Sequence, residues 1–219
     1  MMQATRLAIN KVHFPVTTLG YGRRIAIWTQ GCSICCPGCI SRDTWSSDAG
    51  QEIAIDALID GLRPWLAKAD GVTISGGEPF EQPSGVYALL QALRREHTGD
   101  ILVYSGFGLT VLEREFPDIL KLIDVLIPEP YVPAVGQSLA LRGSDNQRVL
   151  LLTELARQRY PANIEHLRRL TPPRLDIVVD GDTVWMAGIP EPNAMRGFKE
   201  RLRLAGYTLR SSDEPMVRA

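Results

Sequence analysis

The sequence has no apolar run approaching the ~20 residues that cross a bilayer, and its opening stretch, MMQATRLAINKVHF, lacks the apolar core and small-residue cleavage site of a secretory signal. A cytoplasmic chain without a membrane anchor is expected. Charge of one sign is not in excess either: 24 Lys and Arg stand against 25 Asp and Glu, a net charge of -1. There is no basic footprint for nucleic acid. Cysteine is scarce, with four in 219 residues, and all of them fall between positions 32 and 39, too close together to close useful disulfide loops. In a reducing compartment such a cluster points to metal. The three histidines, His13, His97 and His166, lie far apart and form no ligand motif. Internal repeats and low-complexity segments are also missing.

What is present reads as one ordinary globular domain, with a core over about 10–150 and a C-terminal extension over about 153–219. Hydrophobic residues make up 45% and charged residues 22%, which excludes disordered, collagen-like and disulfide-dense classes. Stretches of strand length recur at 6–14, 24–30, 71–75, 100–105, 124–128, 148–152 and 174–181, several as continuous Val/Ile/Leu runs typical of strands covered on both faces. Between them, Ile55, Leu58, Ile59, Leu62, Leu66 and Ala69 share one helical stripe, and Val86, Leu89, Leu90 and Leu93 another. Alternation of strand and helix makes the fold α/β. Pro64 predicts that the first helix kinks or ends near Arg63. Residues 128–148 are rich in Pro, Gly and Ser, long for a structureless loop, and of the kind that is often functional. Residues 153–173 combine a short helical pattern with Pro161, Pro172 and Pro173, and read as a connector over the surface. The end reads as a hairpin around Asp180-Gly181-Asp182, then a helix carrying Met195, Phe198, Leu202 and Ala205 with Gly206 as its stop. The basic side chains of that helix, Arg196, Lys199, Arg201 and Arg203, read as a solvated face.

The four cysteines sit on one short loop, GCSICCPGC, directly after the strand RIAIWTQ. Strand ends are where α/β folds bind ligands, and thiolates are soft ligands for zinc or iron-sulfur clusters. A structural zinc site usually splits its ligands between two separate pairs; no second pair exists, and using all four would place adjacent Cys35 and Cys36 on one ion. Choosing Cys32, Cys36 and Cys39 gives C-x3-C-x2-C, three thiolates for a [4Fe-4S] cluster with one iron left open. Such an iron can be chelated by a small molecule through amino and carboxylate groups. The alternative is a closed electron-transfer cluster completed by Cys35 or a distant residue. Pro37 and Gly38 suit a tight turn with N–H groups near the cluster sulfurs.

At these residues the sequence resembles the radical S-adenosylmethionine superfamily, and within it the activating enzymes of glycyl-radical enzymes. Gly20-Tyr21-Gly22-Arg23-Arg24 followed by IAIWTQGC matches that lead-in, with Tyr21 where proline is usual. CPGC ending at Cys39 and then Thr44-Trp45 match the continuation, with Ser41 where asparagine is frequent. TISGGEPF (73–80), IDVLI (123–127) and LRGSDNQR (141–148) follow in order, so the likeness covers roughly 10–190. Departures are Pro128-Glu129-Pro130, the extra Cys35, and the segment 153–173, which has no counterpart. The resemblance implies a partial, open (β/α) barrel with a mainly parallel sheet. It also implies a [4Fe-4S] cluster that reductively cleaves S-adenosylmethionine to a 5′-deoxyadenosyl radical. The substrate would be a backbone glycine of a partner such as anaerobic ribonucleotide reductase, the reductant a flavodoxin or ferredoxin.

The resemblance assigns the Gly76-Gly77-Glu78-Pro79 turn to the amino group of S-adenosylmethionine. On its own the tetrapeptide is equally an ordinary strand-to-helix turn, and Glu78 either contacts the ligand or braces the turn. Ser105-Gly106 ends a strand, where Ser105 is a candidate for the ligand's ribose or carboxylate. Arg24 is either near the cluster loop or a strand-edge charge. Asn146 and Gln147 either bond a ligand or partner loop, or cap their own turn. Gly20-x-Gly22 precedes a strand, so it is not a dinucleotide fingerprint.

Overall fold

The computed structural model describes residues 5–47, 52–170, 174–191 and 194–208. Strand β1 spans Arg6–Val16, β2 Arg24–Thr29, β3 Glu52–Ala54, β4 Gly71–Gly76, β5 Asp100–Tyr104, β6 Val125–Ile127 and β7 Leu150–Leu151. They form one sheet in the order β3-β1-β2-β4-β5-β6-β7. The centre, β2-β4-β5-β6, is parallel, while β1, β3 and β7 pair antiparallel at the margins. This is the expected α/β architecture, one seven-stranded sheet with a parallel centre. The short β3 is not visible in the sequence, and the run at 148–152 contributes only two residues of strand.

Period-two alternation sorts the apolar residues onto the two faces. Ile25, Ile27, Val72, Ile74, Ile101, Val103 and Leu126 point to one side. There they pack against helix α1 (Ile55–Leu66) through Leu58, Ile59, Leu62 and Leu66, and against α2 (Pro83–Glu96) through Val86, Leu89, Leu90 and Leu93. Leu112 of α3 (Leu109–Glu115) and Ile119 of α4 (Pro117–Leu120) complete this core. Helix α1 passes through Pro64 to Leu66 instead of ending at Arg63. Proline there forfeits one hydrogen bond, to the carbonyl of Asp60, on the exposed side where water replaces it.

The opposite face corrects the reading of 153–173 as a surface connector. Helix α5 (Glu154–Arg159) is capped by Thr153, whose side chain accepts from the Ala156 N–H. It delivers Ala156, Tyr160 and Ile164 against Leu102, Val125 and Ile127, all buried. The prolines Pro172 and Pro173 lie outside the described residues. The expected hairpin forms as β8 (Leu175–Asp180) and β9 (Thr183–Gly188). Asp176 pins it by accepting from the N–H and Oγ of both Thr17 and Thr18. Ala187 joins Val16, Leu19, Ala26 and Trp28 in a third apolar cluster. Helix α6 (Ala194–Leu204) follows, with Arg196, Arg201 and Arg203 exposed and Gly206 in the left-handed conformation just past its end.

Parallel pairing aligns the strand starts Arg24, Gly71 and Asp100 side by side. Arg24 is fully buried and ion-paired to Asp100 at 2.8 Å. It also donates to Thr73 Oγ1, the Val72 carbonyl and the Tyr21 carbonyl. Arg159 and Tyr160 reach the same carboxylate. Arg24 therefore lies at the end of β2 away from Cys32, a structural ion pair, neither a site residue nor an edge charge. A cavity of about 430 Å³, lined in part by Asp70, Glu96, His97 and Arg159, is at this same end.

Candidate metal centre

The other ends of the parallel strands gather the motifs. Thr29 pairs with Gly76, and Tyr104 with Ile127, so the cysteine loop, the glycine turn, Ser105-Gly106 and Pro128-Glu129 all leave the sheet at one edge. Two backbone hydrogen bonds extend the β2–β4 pairing past the sheet: the Gly77 N–H donates to the Thr29 carbonyl and the Glu78 N–H to the Gly31 carbonyl, both at 2.8 Å. A Cβ on Gly77 would lie 2.1 Å from that Gly31 oxygen. Glycine is required there by contact of two backbones, and in Gly76 also by φ of 105°.

The base of the cysteine loop is closed by its own return segment. Gly31 N–H donates to the Thr44 carbonyl and Cys32 N–H to the Trp45 carbonyl. The buried Gln30 donates to the carbonyls of Asp43 and Ser46. Within the loop, Cys39 N–H donates to the Cys36 carbonyl, and Gly38 takes φ of 76°. Cys32, Cys36 and Cys39 are half-buried; Cys35 is exposed, in a left-handed conformation (φ 48°), with its thiol donating to the Cys32 carbonyl. Cys35 is thus the one exposed cysteine of the four. No three His, Cys, Asp or Glu side chains among the described residues converge as one metal ion would require. Cysteine thiols are the ligand type that iron-sulfur clusters take.

Burial pushes the Cys32 thiol up to about 11 and raises Cys39 as well. Without a metal these sulfurs hold their protons, and metal binding must displace them.

Glu78 is 1% exposed. Its Oε1 accepts from the Phe80 N–H and from Ser105 Oγ, and its Oε2 accepts from the Gly106 N–H at 2.6 Å. The carboxylate thus ties the glycine turn to the end of β5, and Ser105 is part of that tie. Desolvation pushes Glu78 up to about 7 against these three donors. A carboxyl raised from 4.5 binds its proton more tightly folded than unfolded, so its contribution to stability falls as pH rises from about 4.5 to 7. The difference in unfolding free energy between wild type and Glu78→Gln, from denaturant titrations of the metal-free chain, is therefore expected to move against wild type by up to roughly 3 kcal/mol across that window. A pH-independent difference would show that Glu78 is not desolvated in this way.

Several residues of the site carry no sequence signal. Glu81 accepts from the Ser33 N–H and Oγ, Ile34 leans over Gly106, and the Tyr131 ring stands between Gly38 and Gly143. Asn146 donates to the Pro130 carbonyl, and Gln147 donates to the Glu129 carbonyl while accepting from the Gly143 N–H. Both therefore shape the loop 129–147 that carries Tyr131.

The family described as a 4Fe-4S single cluster domain matches residues 18–150, the span that holds every one of these elements. The anaerobic ribonucleoside-triphosphate reductase-activating protein of Escherichia coli (strain K12) is 33% identical over 145 residues, covering 63% of this chain and 94% of that protein. Its namesake in Haemophilus influenzae is 33% identical over 144 residues, 62% and 92% of the two chains. A pyruvate formate-lyase-activating enzyme of Staphylococcus aureus is 28% identical over 160 residues, 69% of this chain and 64% of that one. The chain belongs to the 4Fe-4S single cluster domain family, among the activating enzymes of the radical S-adenosylmethionine superfamily.

Proposed function

We propose that this protein activates a glycyl-radical enzyme of the anaerobic ribonucleotide reductase class, with Cys32, Cys36 and Cys39 holding a [4Fe-4S] cluster whose fourth iron is open to S-adenosylmethionine. The observation that carries this reading is the segregation of the thiols. Three are half-buried on a loop docked to the glycine turn, and the fourth is exposed, its thiol donating to the Cys32 carbonyl. When bound, the cluster and S-adenosylmethionine supply one-electron cleavage to methionine and a hydrogen-abstracting 5′-deoxyadenosyl radical.

The chain's own task is to bind, orient and exclude water. Gly76 and Gly77 bring the turn against the base of the cysteine loop, leaving backbone carbonyls for a ligand ammonium. Glu78 and Ser105 fix the two neighbouring strand ends. All four cysteines of this sequence lie in the one loop, so the electron comes from an outside carrier, a flavodoxin or ferredoxin in the cytoplasm. No helix among the described residues is long and apolar enough to cross a membrane.

The test is to load the chain anaerobically with iron and sulfide, reduce it, and add S-adenosylmethionine together with the glycyl-radical enzyme encoded in the same genome. Formation of 5′-deoxyadenosine with a glycyl doublet in the partner's electron paramagnetic resonance spectrum is expected. Cleavage without any glycyl signal, joined by hydrogen transfer from a peptide or small molecule, would move the protein to another radical substrate.

A further inference from the structure

We propose that Glu81 is a positioning residue for the cysteine loop: its carboxylate clasps Ser33, holds the Cys32–Cys36 stretch over the strand ends before any cluster is present, and keeps a negative charge beside the first ligand. This rests on the reading of Cys32, Cys36 and Cys39 as the ligands.

The clasp is made of three contacts. The Ser33 N–H donates to both carboxylate oxygens, at 2.9 and 3.2 Å, and Ser33 Oγ donates to Oε1 at 2.6 Å. Among the described residues, no other hydrogen bond links 33–38 to a different part of the chain; the remaining ones in that stretch stay within the loop. The two ends of the loop are secured to each other independently, Gly31 and Cys32 donating to the Thr44 and Trp45 carbonyls. Among the described residues, the stretch bearing Cys35 and Cys36 is held by the Ser33 clasp, by the apolar contact of Ile34 with Gly106 and, beyond Pro37, by the Tyr131 ring at Gly38.

Glu81 itself is rigidly carried. It ends the single 3-10 turn Pro79–Glu81, its N–H donates to the Glu78 carbonyl, and its neighbour Phe80 is buried at 1% exposure between the turn and Phe116. The glycine turn and the cysteine loop are thereby one unit, joined by backbone at Gly31 and by Glu81 at Ser33. A charged acceptor makes stronger hydrogen bonds than a neutral one, and the residue it holds, Ser33, directly follows Cys32, so the carboxylate stands one residue from the first ligand. Reduction adds one electron, taken from the external carrier, to the same place. Glu81 therefore opposes it and lowers the cluster's potential.

Three variants separate the two effects. Glu81→Ala removes acceptor and charge, Glu81→Gln keeps one acceptor oxygen for Ser33 without the charge, and Glu81→Asp keeps the charge on a shorter arm. In the metal-free chain, alkylation by iodoacetamide is followed at each cysteine by mass spectrometry, with exposed Cys35 as the internal reference. Cys36 is expected to react about fivefold faster in Glu81→Ala, the factor that corresponds to about 1 kcal/mol for an exposed charged contact, and close to the wild-type rate in Glu81→Gln. In the loaded chain, a redox titration followed by electron paramagnetic resonance is expected to place both Glu81→Ala and Glu81→Gln at more positive potential than wild type, with Glu81→Asp near wild type. Unchanged alkylation in Glu81→Ala overturns the clasp, and an unchanged potential in Glu81→Gln overturns the role of its charge. A wild-type chain that takes up no iron overturns the cluster reading instead, and the alkylation rates still decide the clasp.

Discussion

Cys36→Ala is expected to leave the chain folded and almost free of iron after anaerobic reconstitution, whereas Cys35→Ala keeps the full complement of about four irons and four sulfides per chain. The two residues are adjacent, so a difference this large cannot come from general damage to the loop. It comes from where the thiols are directed. Cys36 is half-buried on the turn closed by the Cys39 N–H, while Cys35 is exposed and spends its thiol proton on the Cys32 carbonyl. Alanine at 35 keeps the Cβ, so the left-handed backbone is no more strained than in wild type. Losing one of three thiolates leaves two protein ligands for a four-iron cluster, too few to hold it against chelation and oxidation. Iron and sulfide analysis with the spectrum of the reduced protein reads the result directly. If Cys35→Ala lost the cluster too, all four thiols would be ligands, no iron would be open, and S-adenosylmethionine cleavage would have no site.

The parts of this protein that can be read from its sequence are those in which a local pattern has a single physical solution. RIAIWT is buried at every residue because both faces of β2 are covered, and a continuous apolar run announces that. The helical stripes of α1 and α2 are legible for the same reason, and C-x3-C-x2-C with a glycine turn states its chemistry in residue types. Other features depend on partners far along the chain. Glu81 meets Ser33 across 48 positions, and nothing around it distinguishes it from a solvated carboxylate. Arg24 reaches Asp100 across 76 positions, so a buried ion pair reads as an edge charge. Tyr160 and Ile164 seal a face of the sheet from a segment whose short helical pattern is broken up by prolines, which is why it reads as a surface connector.

Gly77→Ala is expected to cut S-adenosylmethionine cleavage by roughly a hundredfold or more, the cost of displacing reacting groups by about 1 Å, and to abolish the ligand-induced change in the cluster spectrum. The added methyl carbon would sit 2.1 Å from the Gly31 oxygen and 2.8 Å from its carbonyl carbon. These are backbone atoms, and no rotamer change relieves them. The hydrogen bonds on either side, Gly77 to Thr29 and Glu78 to Gly31, must lengthen to admit the methyl. Because Gly31 immediately precedes Cys32, the displacement passes straight into the first ligand. Gly106→Ala is the instructive contrast, since its methyl would meet Ile34 Cδ1 at 2.6 Å, the end of a side chain that can rotate away. Gly61→Ala, in α1 with nothing within 4 Å, is the control and should stabilise the helix by up to about 1 kcal/mol. Cleavage rates and unfolding midpoints of the three variants together separate damage at the site from damage to the fold. A Gly77→Ala chain that cleaved at the wild-type rate would mean that the glycine turn is only a bend in the chain, with the ligand ammonium bound elsewhere.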